Sequence, residues 1–165
     1  MPVSRIHDVK RYLQQTKVAR DLGQHPDIRF PANDAPEVLL PLFASKVAAG
    51  FASPADDYIE TSLDLNQYLI KHPAATFFLR VEGNSMLGAG IHDGDTLVVD
   101  RSLEARSGKV VIAAVNGELT VKRLHIGQQQ RVTLLAENPD YPNIPIRDGM
   151  DFVIWGVVTN VIHPV

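Results

Sequence analysis

The sequence predicts a mostly-β domain from about residue 60 to the end at 165, and three observations carry that expectation. A period-two apolar pattern sets in at Thr76, with Phe77, Leu79 and Val81 on one face, and short strand-like runs recur from there on. Asn116-Gly117 stands directly between two strand patterns, the strongest short-range hairpin signal. One long strand pattern, Asp151 to Ile162, closes the chain and carries a glycine, Gly156, where a strand would bend.

Taken in order, residues 5–23 could form one helix, with Ile6, Val9 and Leu13 as a short apolar stripe and Gly23 as its stop. A solvated helical extension is the simpler reading; a DNA-binding head would need at least two packed helices. Residues 24–38 hold three prolines and no periodicity, so they read as linker rather than as an element. Residues 39–60 are apolar and small but broken by Pro41, Gly50 and Pro54. They are either an ordinary loop or a mobile arm that docks into a cleft. Residues 61–72 read as a short helix capped by Ser62 and ended by His72-Pro73. Strands are then expected at Thr76–Glu82, Asp95–Asp100, Lys109–Val115, Glu118–Leu124, Arg131–Ala136 and Asp151–Ile162. The Lys109–Val115 run is almost continuously apolar, as in a strand buried on both faces.

Bulk composition narrows the function classes. The 165 residues suffice for one cored domain plus an arm, and 45% apolar with 21% charged residues is a globular composition. There is no cysteine, which excludes disulfides and thiolate metal sites. The six histidines, at 7, 25, 72, 92, 125 and 163, have no close ligand spacing, so neither a metal nor a cofactor is expected. The longest purely apolar run is six residues, Val110 to Val115, against the roughly 20 of a membrane helix. No secretory signal is visible, and a cytoplasmic protein is expected. Residues 1–36 carry six Lys/Arg against four Asp/Glu, whereas residues 50–165 carry nine against fourteen. An acidic main domain disfavours phosphate-backbone binding and points to protein partners.

Chemistry concentrates around Gly83-Asn84-Ser85, a turn directly after a strand. A serine there is commonly a turn residue. To act as a nucleophile it needs a base, and no histidine has a carboxylate at a telling spacing. Lys122 lies 37 residues on, inside the second hairpin strand. Such a lysine either extends to solvent or is buried. If buried, its pKa falls, and a neutral amine beside Ser85 could take the hydroxyl proton. The backbone N–H groups of Asn84 and Ser85 are candidates for an oxyanion hole.

Three blocks together resemble the UmuD/LexA family of self-cleaving serine peptidases. They are the arm, with Leu42-Phe43, Ala48-Ala49-Gly50-Phe51, Pro54 and Asp57-Tyr58; the Glu82-Gly83-Asn84-Ser85-Met86 turn with Gly90-Ile91 and Asp93-Gly94-Asp95; and the Gly117–Leu124 strand. Glu137-Asn138-Pro139, Tyr141, Ile144 and the terminal Phe152 and Gly156-Val157-Val158 fit as well, so the likeness spans residues 38–163. The run DLNQYLIKHPAATFF is similar to the UmuD branch rather than to LexA. In that branch Cys-Gly often occupies the cleavage site; Ala49-Gly50 here is the pair familiar from LexA. The N-terminal extension is a departure from the UmuD pattern.

The resemblance implies a peptidase domain of curled antiparallel sheets over residues 61–165, one short helix before its core, a cleavable arm at 39–60 and an extension at 1–38. It implies Ser85 as nucleophile, Lys122 as general base and Ala49-Gly50 as the chain's own cleaved bond. It further implies cleavage stimulated by a RecA–single-stranded-DNA filament in the SOS response. The product would be a homodimer that joins a UmuC-like polymerase subunit in translesion synthesis, with the sliding clamp as a further partner. No membrane and no sequence-specific DNA are expected as partners. The alternative is a LexA-like self-cleaving repressor whose head is the extension.

Overall fold

The structure is a computed structural model and describes residues 25–43 and 59–165. The helix expected over 5–23 and the Ala49-Gly50 bond lie outside the described residues. The described chain forms two units, one of residues 25–31 with 74–165 and one of 32–43 with 59–73.

The larger unit is mostly β, as expected. Its strands are β1 (Ile28–Arg29), β4 (Thr76–Arg80), β5 (Thr96–Asp100), β6 (Val110–Val115), β7 (Glu118–Ile126), β8 (Val132–Leu135), β9 (Ile144–Pro145) and β10 (Phe152–Ile162). They make one antiparallel sheet in the order β1-β4-β5-β10-β6-β7-β8-β9. The last strand is therefore the middle of the sheet. Its first half pairs with β6 (Phe152 opposite Val115) and its second half with β5 (Ile162 opposite Thr96). Register shifts between Ile154 and Gly156 and between Val158 and Asn160 bend it, as bulges do.

That bend accompanies two hydrophobic clusters. One gathers Phe77, Met86, Ile91, Leu97, Val99, Ile112 and Trp155. The other gathers Val111, Ala113, Leu124, Leu134, Ile154 and Val157. In β6, Ile112 faces the first cluster and Val111 and Ala113 the second, which is why that strand reads as one apolar run. The β6–β7 hairpin turns on Asn116 (φ 51°) and Gly117 (φ 85°), both left-handed, the backbone an Asn-Gly pair tolerates best.

Part of the expected linker is structured. Ile28 and Arg29 pair with Leu79 and Phe78 at the sheet edge. Ile28 is buried, and His25 packs edge-on against Trp155. The prolines that argued against an element do not oppose a two-residue edge strand, where proline is tolerated nearby.

In the smaller unit, β2 (Leu40–Phe43) pairs antiparallel with β3 (Ile59–Leu63), followed by α1 (Leu65–Leu69). The helix expected over 61–72 is thus shorter than its pattern suggested, because residues 61–63 join the β3 ladder. Its N-cap is Asp64 rather than Ser62: one carboxylate oxygen accepts from the Gln67 N–H at 2.9 Å and the other from the Val38 N–H at 2.7 Å.

Candidate active site

The Ser85 turn is held by backbone and side-chain groups together. Val81 N–H donates to the Asp95 carbonyl at 2.8 Å, and Gly94 N–H returns to the Val81 carbonyl at 2.9 Å. Gly83 has φ 85°, open to glycine without strain, and its N–H donates to Asp93 Oδ1 at 2.6 Å. The Asn138 side-chain amide donates to the Asn84 carbonyl at 2.8 Å, and Glu137 N–H donates to the Ser85 carbonyl at 2.8 Å. Beyond the serine, Met86 and Ile91 plug the first hydrophobic cluster and anchor the turn from below. Ser85 itself is half-buried, so its hydroxyl remains reachable.

Lys122 sits in β7 opposite Val111. The strand's period of two places Thr120 and Leu124 on the same face as Lys122. The side chain does not extend to solvent: Lys122 is only 7% exposed. Its Nζ lies 2.9 Å from Ser85 Oγ, 3.0 Å from Thr120 Oγ1 and 3.1 Å from the Val121 carbonyl. All three neighbours are neutral oxygens. Burial strips water from the ammonium and lowers the Lys122 pKa from its ordinary value.

The two N–H groups named as oxyanion candidates differ in their surroundings. Asn84 N–H lies 3.4 Å from Tyr141 Oη, a long contact. At Ser85 the carbonyl side of the turn is closed by the Glu137 N–H. The sequence pattern missed Thr120, Glu137, Asn138 and Tyr141 as parts of this site. Thr120 could have been found, since it lies two residues from Lys122 on a strand. The others reach the turn only through the fold.

Among the histidines, His92 and His163 come together across Asp95, which no sequence spacing signals. His125 is exposed at the far end of β7.

A β sheet that brings a serine hydroxyl against a buried lysine amine has the arrangement of a Ser-Lys hydrolase. The Peptidase S24-like model matches residues 41–159, and the chain belongs to that family. It is 46% identical over 129 residues to protein MucA of Escherichia coli, covering 76% of this chain and 87% of that one. It is 48% identical over 123 residues to protein ImpA of Shigella flexneri, covering 74% and 83%. It is also 41% identical over 144 residues to LexA repressor 1 of Pseudomonas syringae pv. tomato, covering 86% and 70%. The chain is UmuD-like, a self-cleaving serine peptidase with a role in SOS mutagenesis. These relatives connect it to a UmuC-associated role. Among the described residues no helix is long and apolar enough to cross a membrane.

Proposed function

We propose that Ser85 and Lys122 are the nucleophile and general base of a self-cleavage reaction at Ala49-Gly50. On this reading residues 1–38 are an extension, 39–60 the cleavable arm and 61–165 the peptidase and dimerisation domain. A RecA–single-stranded-DNA filament favours docking of the arm. The product, residues 50–165, forms a cytoplasmic homodimer that joins a UmuC-like subunit, with the sliding clamp as a further partner. The observation that carries the proposal is the 2.9 Å contact between Lys122 Nζ and Ser85 Oγ around an amine whose pKa is lowered by burial.

The surroundings of Nζ suit a neutral amine. Its two hydrogens can go to the Val121 carbonyl and Thr120 Oγ1, leaving the lone pair for the Ser85 hydroxyl. Lys122 takes that proton as Ser85 Oγ bonds to the Ala49 carbonyl carbon. The resulting oxyanion is received by the Ser85 N–H and by the Asn84 N–H once it leaves Tyr141. Lys122 then gives the proton to the departing Gly50 nitrogen as the Ala49–Gly50 bond breaks. Water, deprotonated by the same amine, hydrolyses the Ser85 ester and regenerates the hydroxyl.

The test is to hold the purified chain at about pH 10, where even an ordinary lysine is partly deprotonated and one with a lowered pKa more so, and to weigh the fragments. Fragments ending at Ala49 and beginning at Gly50 are expected, and they should vanish in Ser85→Ala and in Lys122→Ala. An intact chain, or cleavage indifferent to both substitutions, would remove the proposal. A self-cleaving repressor is the second reading, and the LexA relative favours it. It requires sequence-specific DNA binding by the intact chain, and the identity to that relative is lower, 41% against 46% and 48%.

A further inference from the structure

On the same unit but outside the Ser85–Lys122 pair, three chemistry-bearing side chains converge without a role in the reaction above. His92, in the loop after the Ser85 turn, and His163, at the end of β10, flank Asp95. The sheet makes this meeting specific. Ile162 pairs with Thr96 in the β10–β5 ladder, so the next residue on each strand, His163 and Asp95, are brought face to face. His163 Nδ1 lies 2.5 Å from Asp95 Oδ1, and His92 Nδ1 lies 3.6 Å from Asp95 Oδ2. The two imidazole rings are 4.7 Å apart between centroids. One ligand atom from each residue fits within a group no more than 4.8 Å across.

Two features set this group apart from a chance surface cluster. Asp95 is 1% exposed, and it is held as an acceptor by the His92 backbone N–H at 2.7 Å. His92 Nδ1 is enclosed yet has no hydrogen-bond partner among the described residues. A buried polar nitrogen of this kind, aimed at a carboxylate, is a group still short of one partner.

We propose that His92, Asp95 and His163 form a binding site for a single zinc-class divalent cation. Two imidazole nitrogens and a carboxylate oxygen are the donor set such ions take, at about 2.0–2.2 Å each. Tetrahedral geometry at those lengths places donors roughly 3.3 Å apart. The short Asp95–His163 contact must open slightly and the more widely spaced donor pair must close, motions within reach of side-chain rotation. Binding replaces the Asp95–His163 hydrogen bond and gives His92 Nδ1 its partner. Both imidazoles are nearly half exposed (45% and 44%), which leaves an entry path and a fourth position for water. The ion would join the C-terminal end of β10 to the loop whose Asp93 holds Gly83, and so to the base of the Ser85 turn.

The experiment uses the full chain, without an added histidine tag, carrying Ser85→Ala so that it stays intact. Titration with Co²⁺ should give tetrahedral visible absorption saturating at one equivalent. Zn²⁺ should bleach that signal and raise the melting temperature, whereas Mg²⁺ should do neither. His92→Ala and His163→Ala should each lose the Co²⁺ signal, and His125→Ala should keep it. Metal-free melting of the variants reports whether they still fold, which half-exposed positions should allow. Absence of both the Co²⁺ spectrum and the Zn²⁺-dependent shift, or their survival in a chain carrying His92→Ala and His163→Ala together, overturns the proposal.

Discussion

Arg123 and Glu137 form an ion pair, Nε to Oε1, that links the strand carrying Lys122 to the turn carrying Ser85. Arg123 is the next residue after Lys122 in β7, and its guanidinium also donates to the Gly108 carbonyl at 2.8 Å. Glu137 in turn grips the serine turn with its backbone. Its N–H donates to the Ser85 carbonyl at 2.8 Å, and its own carbonyl accepts from Gly88 N–H at 2.7 Å. The serine and the lysine are therefore held in register by a pair that touches neither reacting atom.

Glu137→Ala should leave the fold intact and slow self-cleavage by about ten- to a hundredfold, the loss that a misplacement near 1 Å brings. The backbone bonds to Ser85 persist in that variant, but the tether to β7 is gone. Arg123→Ala should act in the same direction. Fragment yield against time at alkaline pH, beside circular dichroism, checks this. Because Lys122 remains the base, the pH at which the rate levels off should not move. A shifted midpoint would mean that the pair tunes the amine rather than positions it.

Lys122 makes stability depend on pH in a direction that follows from its burial. The folded pKa is lowered below the 10.5 of an exposed lysine. Between the folded value and 10.5 the unfolded chain holds the extra proton, so this residue's contribution to stability improves as pH rises through that window. Lys122→Met has no such titration. In a Ser85→Ala background it should be the more stable chain at neutral pH, by on the order of 1 kcal/mol. That gap should narrow as the pH climbs and level off once both states are deprotonated. Urea unfolding at several pH values measures it, and a gap constant across the series would contradict a buried, desolvated amine.

Much of this architecture was legible in the sequence, and the misses share a cause. The six expected strands appear because alternation and the Asn116-Gly117 turn are local signals. The Ser85 turn was located the same way, and its meeting with Lys122 became an expectation through the family blocks. Local pattern failed where tertiary pairing decides. Ile28 is one apolar residue in a proline-rich stretch, and only the open edge of β4 makes it a strand. Residues 61–63 have helical spacing, but their backbone groups pair with β2. His92 and His163 are 71 positions apart, and nothing short of the β5–β10 register brings them together.

Gly156 was read as a bend, and the structure adds a packing reason. A Cβ there would lie 2.7 Å from Val99 Cγ1 and 3.1 Å from the Asp100 carbonyl, so β10 and β5 would have to shift apart locally. Gly156→Ala should destabilise the domain by about 1–3 kcal/mol, as overpacking does. Val99→Ala removes the clashing methyl at the expense of a buried contact. The two substitutions together should therefore cost less than their sum, a coupling that a double-mutant cycle of unfolding free energies reads directly. Strict additivity would place the strain elsewhere.

Asp64 makes the smaller unit sensitive to acid. Its carboxylate accepts from Gln67 N–H, at the start of α1, and from Val38 N–H, just before β2. The Gln67 bond and then the Val38 bond hold its pKa below 3.8 against the opposing effect of burial. A depressed carboxyl contributes stability that is fully present above the unfolded value and is lost as pH falls through the folded one. Amide hydrogen exchange should therefore show Val38 and Gln67 losing protection together below pH 3.8, while the amides of β6 keep theirs. Asp64→Ala should expose both amides already at neutral pH. Asp64→Asn retains a single carbonyl oxygen, so it can serve only one of the two donors and should leave the other fast. Equal protection of both amides in Asp64→Asn would mean that the carboxylate is not what joins the segment before β2 to the helix.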